Sequence, residues 1–176
     1  MKPLELTTAL ARLLSDAELR SAFIGDPDQV ANQLPIRDAD RDAFFSLNID
    51  ELERQAKTLI EKRLHEVGRI IPQTIQRLGC QASTEFYRYA NQHWPTGYSR
   101  HFEDAMAFFD FLIANGNRHN VCHSERNWRR FGVSQRRFAF HLVPDLLVGK
   151  KQRRSIQFLY RQNDGTPRQF AMYLSL

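Results

Sequence analysis

The chain has 176 residues, 42% hydrophobic and 26% charged, with thirteen Phe and a net charge of +5. That length supports one domain, or one domain with an appendage, and buries roughly two-thirds of the unfolded surface without staples. Two cysteines, Cys80 and Cys122, are too few for a disulfide framework, so a reducing, cytoplasmic setting is expected. No apolar run approaches the ~18 residues of a membrane span, and Glu5 and Arg12 interrupt any signal-like stretch.

The charge is unevenly divided. Residues 118–176 carry twelve Lys/Arg against three Asp/Glu, whereas residues 1–117 carry thirteen against seventeen. The same boundary separates helical from strand patterning. The expected fold is therefore α+β, with a bundle of about six helices over 1–117 and a basic three-stranded antiparallel sheet over 118–176.

Along the chain, Ser15-Asp16-Ala17-Glu18 reads as a capping box, followed by Leu19, Phe23 and Ile24 at helical spacing. Asp26-Pro27 is a second helix start, with Val30, Ala31 and Leu34 on the apolar side and Pro35 as the stop. Asp38 to Leu47 predicts one more short helix. The strongest element runs from Ile49 to Ile71, capped by Asn48 with Glu51. Leu52, Ala56, Leu59, Ile60, Leu64, Val67 and Ile71 form its stripe. Its other face, with Glu53, Arg54, Lys57, Glu61, Lys62, Arg63 and Glu66, is expected in water. Pro72 ends or kinks this helix, and Leu78-Gly79 closes the next turn. Helices over Ser83 to Trp94 and Ser99 to Ala114 follow, separated by the corner Pro95-Thr96-Gly97. The pattern then becomes two-fold: Phe138, Phe140 and Leu142; Ile156, Phe158 and Tyr160; Phe170, Met172 and Leu174. Asn163-Asp164-Gly165-Thr166 turns between the last two strands.

Catalytic patterns are missing. The chain has no Gly-x-Ser-x-Gly elbow and no phosphate-cradling glycine loop, and the adjacent Glu103 and Asp104 diverge by ~100° on a helix. His119, Cys122, His123 and Glu125 are zinc or iron ligand types within seven residues, but no second cluster completes four-coordination. A polar connecting loop accounts for that stretch, and a metalloenzyme built on His119, Cys122 and His123 is the outlying alternative.

The run Lys150-Lys151-Gln152-Arg153-Arg154 leads into the strand with Phe158 and Tyr160. Arg beside aromatic groups on a sheet suits single-stranded nucleic acid, by phosphate contact and base stacking. It equally suits an acidic peptide added at a sheet edge, its carboxylates read by Arg. The plainest outcome is burial of Ile156, Phe158 and Tyr160 with the Arg side chains left in water.

The middle of the chain resembles a known family. Leu52-Glu53-Arg54-Gln55-Ala56-Lys57-Thr58-Leu59, Lys62-Arg63, Glu66-Val67 and Pro72 are similar to its long helix. Tyr89-Ala90, Trp94-Pro95-Thr96-Gly97, Arg100-His101 and Asp104-Ala105 are similar to its second block, and Asp26-Pro27 with Val30-Ala31 to an earlier one. The family comprises small helical partners, or C-terminal extensions, of multinuclear non-haem iron-dependent oxidative enzymes. Those enzymes are TIM-barrel oxidases that modify ribosomally made peptides, as in the methanobactin and 3-thiaglutamate pathways. The resemblance covers most of residues 10 to 115; Tyr98 stands where one variant of the motif has His. The N-terminal helices resemble, more loosely, the small subunit of extradiol dioxygenases.

The resemblance implies a non-catalytic partner of an iron-dependent oxidase, binding and presenting a precursor peptide. It implies no cofactor in this chain, the iron residing in the oxidase, and no catalytic or metal residue. Peptide contact is expected at Arg153, Arg154, Phe158, Tyr160, Arg161 and Arg168, and oxidase contact at Trp94, Arg100 and His101. The alternative is a small basic nucleic-acid-binding protein on the same sheet. No membrane partner is expected.

Overall fold

A computed structural model describes residues 3–97, 99–148 and 151–173, with backbone alone for 145–148 and 151–153. The fold is α+β, helices first and a three-stranded antiparallel sheet last. The helices are α1 (Leu6–Ser15), α2 (Ala17–Gly25), α3 (Pro27–Gln33), α4 (Arg41–Phe45), α5 (Ile49–Ile70), α6 (Pro72–Leu78), α7 (Gln81–Ala90), α8 (Arg100–Ala114) and α9 (His123–Val133). That is nine α-helices among the described residues rather than about six. The strands β1 (Phe138–Val148), β2 (Lys151–Arg161) and β3 (Pro167–Tyr173) lie in sequence order.

The chain divides into two compact units. One unit comprises 1–67 and 83–104, the other 68–82 and 105–176. The reason is local to the second unit: α6 and the later part of α8 hydrogen-bond to α9, and α9 packs on the sheet.

In the first unit, polar side chains set the helix starts. Asp16 Oδ1 accepts from the Leu19 amide at 2.9 Å, Asp26 Oδ1 from Gln29 at 3.0 Å, and Asn48 Oδ1 from Glu51 at 2.9 Å. The expected Ser15 cap is corrected: α1 runs through Ser15, whose hydroxyl donates back to Arg12 O, so capping passes to Asp16. Ala9, Leu13, Phe23, Val30, Leu34, Phe44 and Leu52 form the core, with Phe23 and Phe44 meeting edge-on at 4.9 Å. Gly97, at φ 96°, holds the corner before α8 in a conformation that side chains with a Cβ rarely adopt.

In the second unit α9 replaces the polar loop expected over His119 to Glu125. Its Ser124, Glu125 and Phe131 are buried, at spacings of one face of a helix. Gln157 on β2 donates to Ser124 O at 2.9 Å and to Gln169 Oε1 at 3.0 Å, which fixes one face of the sheet toward α9.

That choice of face overturns the plainest reading of the strands. The buried residues of β2 are Ser155, Gln157 and Leu159, not Ile156, Phe158 and Tyr160. Successive strand residues point to opposite sides, so a one-residue change of parity turns the whole apolar set outward. The register Phe140↔Phe158↔Phe170 and Leu142↔Ile156↔Met172 then aligns that set across all three strands.

Candidate functional site

Two features stand out, one in each unit. The first is the outward face of the sheet. Phe138, Phe140 and Leu142 are 73%, 77% and 69% exposed, and Phe170 and Met172 about half. Large apolar side chains this exposed, on one contiguous face, are uncommon on a soluble domain. Their exposed surface is on the order of 600 Å², which approaches the ~800 Å² that one partner contributes to a specific interface. The rings of Phe158 and Phe170 stack nearly parallel, 5° apart with centroids at 4.7 Å.

The ends of this face are basic. Arg168 pairs with Tyr160 in register, and Arg154 shares the side of β2 that carries Ile156 and Phe158; both Arg are exposed. Four of the six peptide residues expected from the sequence, Arg154, Phe158, Tyr160 and Arg168, therefore lie on one face. Arg161 does not. It sits on the opposite side, donating to Phe131 O at 3.0 Å, Gly132 O at 2.9 Å and Ser134 O at 2.6 Å. Those carbonyls end α9, so Arg161 caps that helix and is committed to holding it. The side chain of Arg153, like Lys150, Tyr98 and Leu174, lies outside the described residues. Sequence reasoning missed Phe138, Phe140, Leu142, Phe170 and Met172 as surface residues, because alternating apolar residues ordinarily face a core.

The edge of β3 borders a cavity of 430 Å³ whose wall includes Gln73, Glu125, Trp128, Arg129 and Phe170. Glu125 is engaged within it, accepting from the amides of Gln73 and Thr74 at 3.0 Å each and from the Thr74 hydroxyl at 2.9 Å. It thus caps α6 from 52 residues away. Cys122 Sγ donates to Gln73 Oε1 at 3.1 Å, and burial pushes its thiol pKa up. Among the described residues no three His, Cys, Asp or Glu side chains are gathered to hold a metal ion. Among them, too, no helix is long and apolar enough to cross a membrane.

The second feature is a cavity of 180 Å³ in the first unit, lined by Trp94, Arg100 and His101 together with Lys62, Arg63 and Asp104. All three expected oxidase-contact residues thus meet at one place. Arg100 and His101 begin α8, where cations oppose the helix dipole, and the nearby Asp104 carboxylate is engaged by Arg63. Arg63 Nε and Nη2 grip the fully buried Asp104 at 3.0 and 2.8 Å, and Nη2 also reaches His93 O at 2.9 Å. Arg63, expected in water, is 7% exposed: the correction follows from its position one turn beyond Ile60 on the buried side of α5. The Tyr89 hydroxyl donates to Asp104 Oδ1 at 2.7 Å, and burial, with the carboxylate beside it, pushes that phenol pKa up. Trp94 takes the Arg63 guanidinium over its ring at 4.6 Å.

No curated protein and no solved structure matches the chain. Residues 47–114, less than half of the chain, match the family described as SCO6045-like, C-terminal domain, and the match takes in α5 to α8 with the Trp94 corner and its cavity.

Proposed function

We propose that this protein is a non-catalytic binding partner of an iron-dependent peptide-modifying oxidase. The sheet holds the precursor peptide, and the Trp94, Arg100 and His101 corner meets the enzyme. The observation that carries the reading is the outward apolar face of β1, β2 and β3, bracketed by Arg154 and Arg168. An apolar peptide segment flanked by carboxylates complements it in both hydrophobicity and charge. Among the described residues β1 and β3 are the edge strands of the sheet, and edge backbone groups suit strand addition. The iron and its ligands belong to the oxidase.

The test is co-elution of the purified chain with a candidate multinuclear iron oxidase and its precursor peptide, together with anisotropy of the labelled peptide. Phe140→Ser and Phe170→Ser should weaken peptide binding at least tenfold, about the loss of one buried aromatic anchor, with the far-UV circular dichroism unchanged. Binding to neither molecule overturns the reading.

The stacked Phe158 and Phe170 rings favour one other reading, a platform for bases of single-stranded nucleic acid. A labelled oligonucleotide that binds, and is released steeply by salt, would put that reading first.

A further inference from the structure

We propose that the cavity beside Trp94 is a binding site for a single carboxylate group, held at the Arg63 guanidinium in its wall and closed by the side chains of Lys62 and Arg100. The inference does not depend on the oxidase reading. It rests on an unused buried donor. Arg63 has two of its three guanidinium nitrogens paired, yet Nη1 has no hydrogen-bond partner although the side chain is only 8% exposed. Trp94 covers the guanidinium over its ring, but guanidinium N–H bonds lie in the plane and need an acceptor at the edge. A buried, charged donor left unpaired is costly, which sets such groups apart from the ordinary satisfied interior. His101 Nδ1, in the same wall, is a second buried nitrogen without a partner.

The surrounding charges choose the ligand. Lys62, Arg63 and Arg100 line the cavity with positive charge, and the start of α8 adds its dipole in the same sense. Glu66 and Asp104 share the wall, so a dianion such as phosphate meets two carboxylates while a monoanion meets a net attraction. At 180 Å³ the space takes a carboxylate on a chain of a few carbons, and it is too small for a nucleotide. A carboxylate accepts from guanidinium and ammonium donors at once. Its source is either a free small carboxylic acid or an Asp or Glu side chain of a protein partner.

Trp94 and Trp128 are the two indoles of the chain, so Trp128→Phe makes fluorescence report on this cavity alone. Titration of that variant with acetate and with butyrate, each a monoanion, against chloride of equal ionic strength, should give a saturable change. Inorganic phosphate should bind more weakly. Lys62→Ala and Arg100→Ala, both on exposed side chains, should each weaken carboxylate binding about threefold, the size expected of one exposed cation. Arg63→Lys should abolish it, with thermal unfolding recorded to establish that the variant is folded. No saturable change with either carboxylate, or equal binding by Lys62→Ala, Arg100→Ala and the parent, overturns the proposal and leaves the Nη1 donor to water. If acetate also displaces the oxidase, the ligand is a partner's side chain; if it binds without displacing the oxidase, the ligand is a free acid. Saturation by acetate with no oxidase binding at all removes the partner reading and leaves the cavity as assigned.

Discussion

Arg63 and Asp104 show how one residue pair can decide a local structure. The two charges are separated by 41 positions and both are removed from water, so neither is affordable without the other. Asp104→Ala leaves a buried guanidinium with no counter-charge and the Tyr89 hydroxyl with no carboxylate oxygen. The expected cost is about 3–5 kcal/mol, the range for breaking a buried pair by removing one partner. Urea denaturation measures it, and a loss below about 1 kcal/mol would mean that water reaches the pair. The sequence placed both residues correctly on helices but not in contact. Arg63 reads as part of a solvated face because seven charged residues share it, and no local pattern on α5 encodes an acid on α8.

Elements fail and succeed in the same way, according to whether their cause is local. The starts of α3 and α5 were legible because Asp26 and Asn48 cap through amides three residues on. The corner at Pro95-Thr96-Gly97 and the strand positions were legible from turn residues and two-fold alternation. Helix α9 was hidden by the ligand-like look of His119 to Glu125, although Ser124, Trp128 and Phe131 have helical spacing. The strand parity was hidden for a different reason: whether Phe158 or Gln157 faces inward is settled by α9, whose Ser124 carbonyl accepts from Gln157. Helix α6 has no side-chain cap of its own at Ile71, so its start depends on Glu125. Glu125→Ala removes three hydrogen bonds, two of them to backbone amides at a helix start, and should cost about 2–3 kcal/mol. Hydrogen exchange should rise first in α6 amides; unchanged protection there would refute the dependence.

For the whole molecule, buried titrating groups set the pH range of stability. Burial, with Arg136 nearby, holds the His141 pKa below 6.5, so the unfolded chain binds a proton that the folded one resists. Stability is full above pH 6.5 and falls as pH drops through the folded pKa. Cys122 and Tyr89 act with the opposite sign. Their pKa values are raised from 9.0 and 10.0, so the folded chain keeps protons that the unfolded one releases. Stability falls as pH rises beyond about 9, giving a plateau between roughly 6.5 and 9. Thermal melts across that range test it, and a midpoint still rising above pH 9 would contradict the burial of both groups.

Charge over the whole chain also separates the two readings of the sheet. Residues 118–176 hold a net +9, but on the apolar face the described cations are Arg154 and Arg168, one toward each end. Binding dominated by that face should be insensitive to ions, because apolar contact is not screened. Raising salt from about 50 to about 200 mM should then change peptide affinity by less than about tenfold, whereas a ligand gripped through six or more phosphates loses about a thousandfold. The substitutions divide the same way. Phe140→Ser removes contact area and should weaken an acidic peptide more than Arg154→Ala or Arg168→Ala does. For nucleic acid the Arg substitutions should reduce the salt slope by about one each, while Phe140→Ser leaves the slope unchanged. A steep slope that both Arg substitutions flatten would mean that the apolar face serves as a stacking platform. A shallow slope with Phe140 dominant would mean that the exposed face is there to bury a peptide, with the two cations fixing its direction.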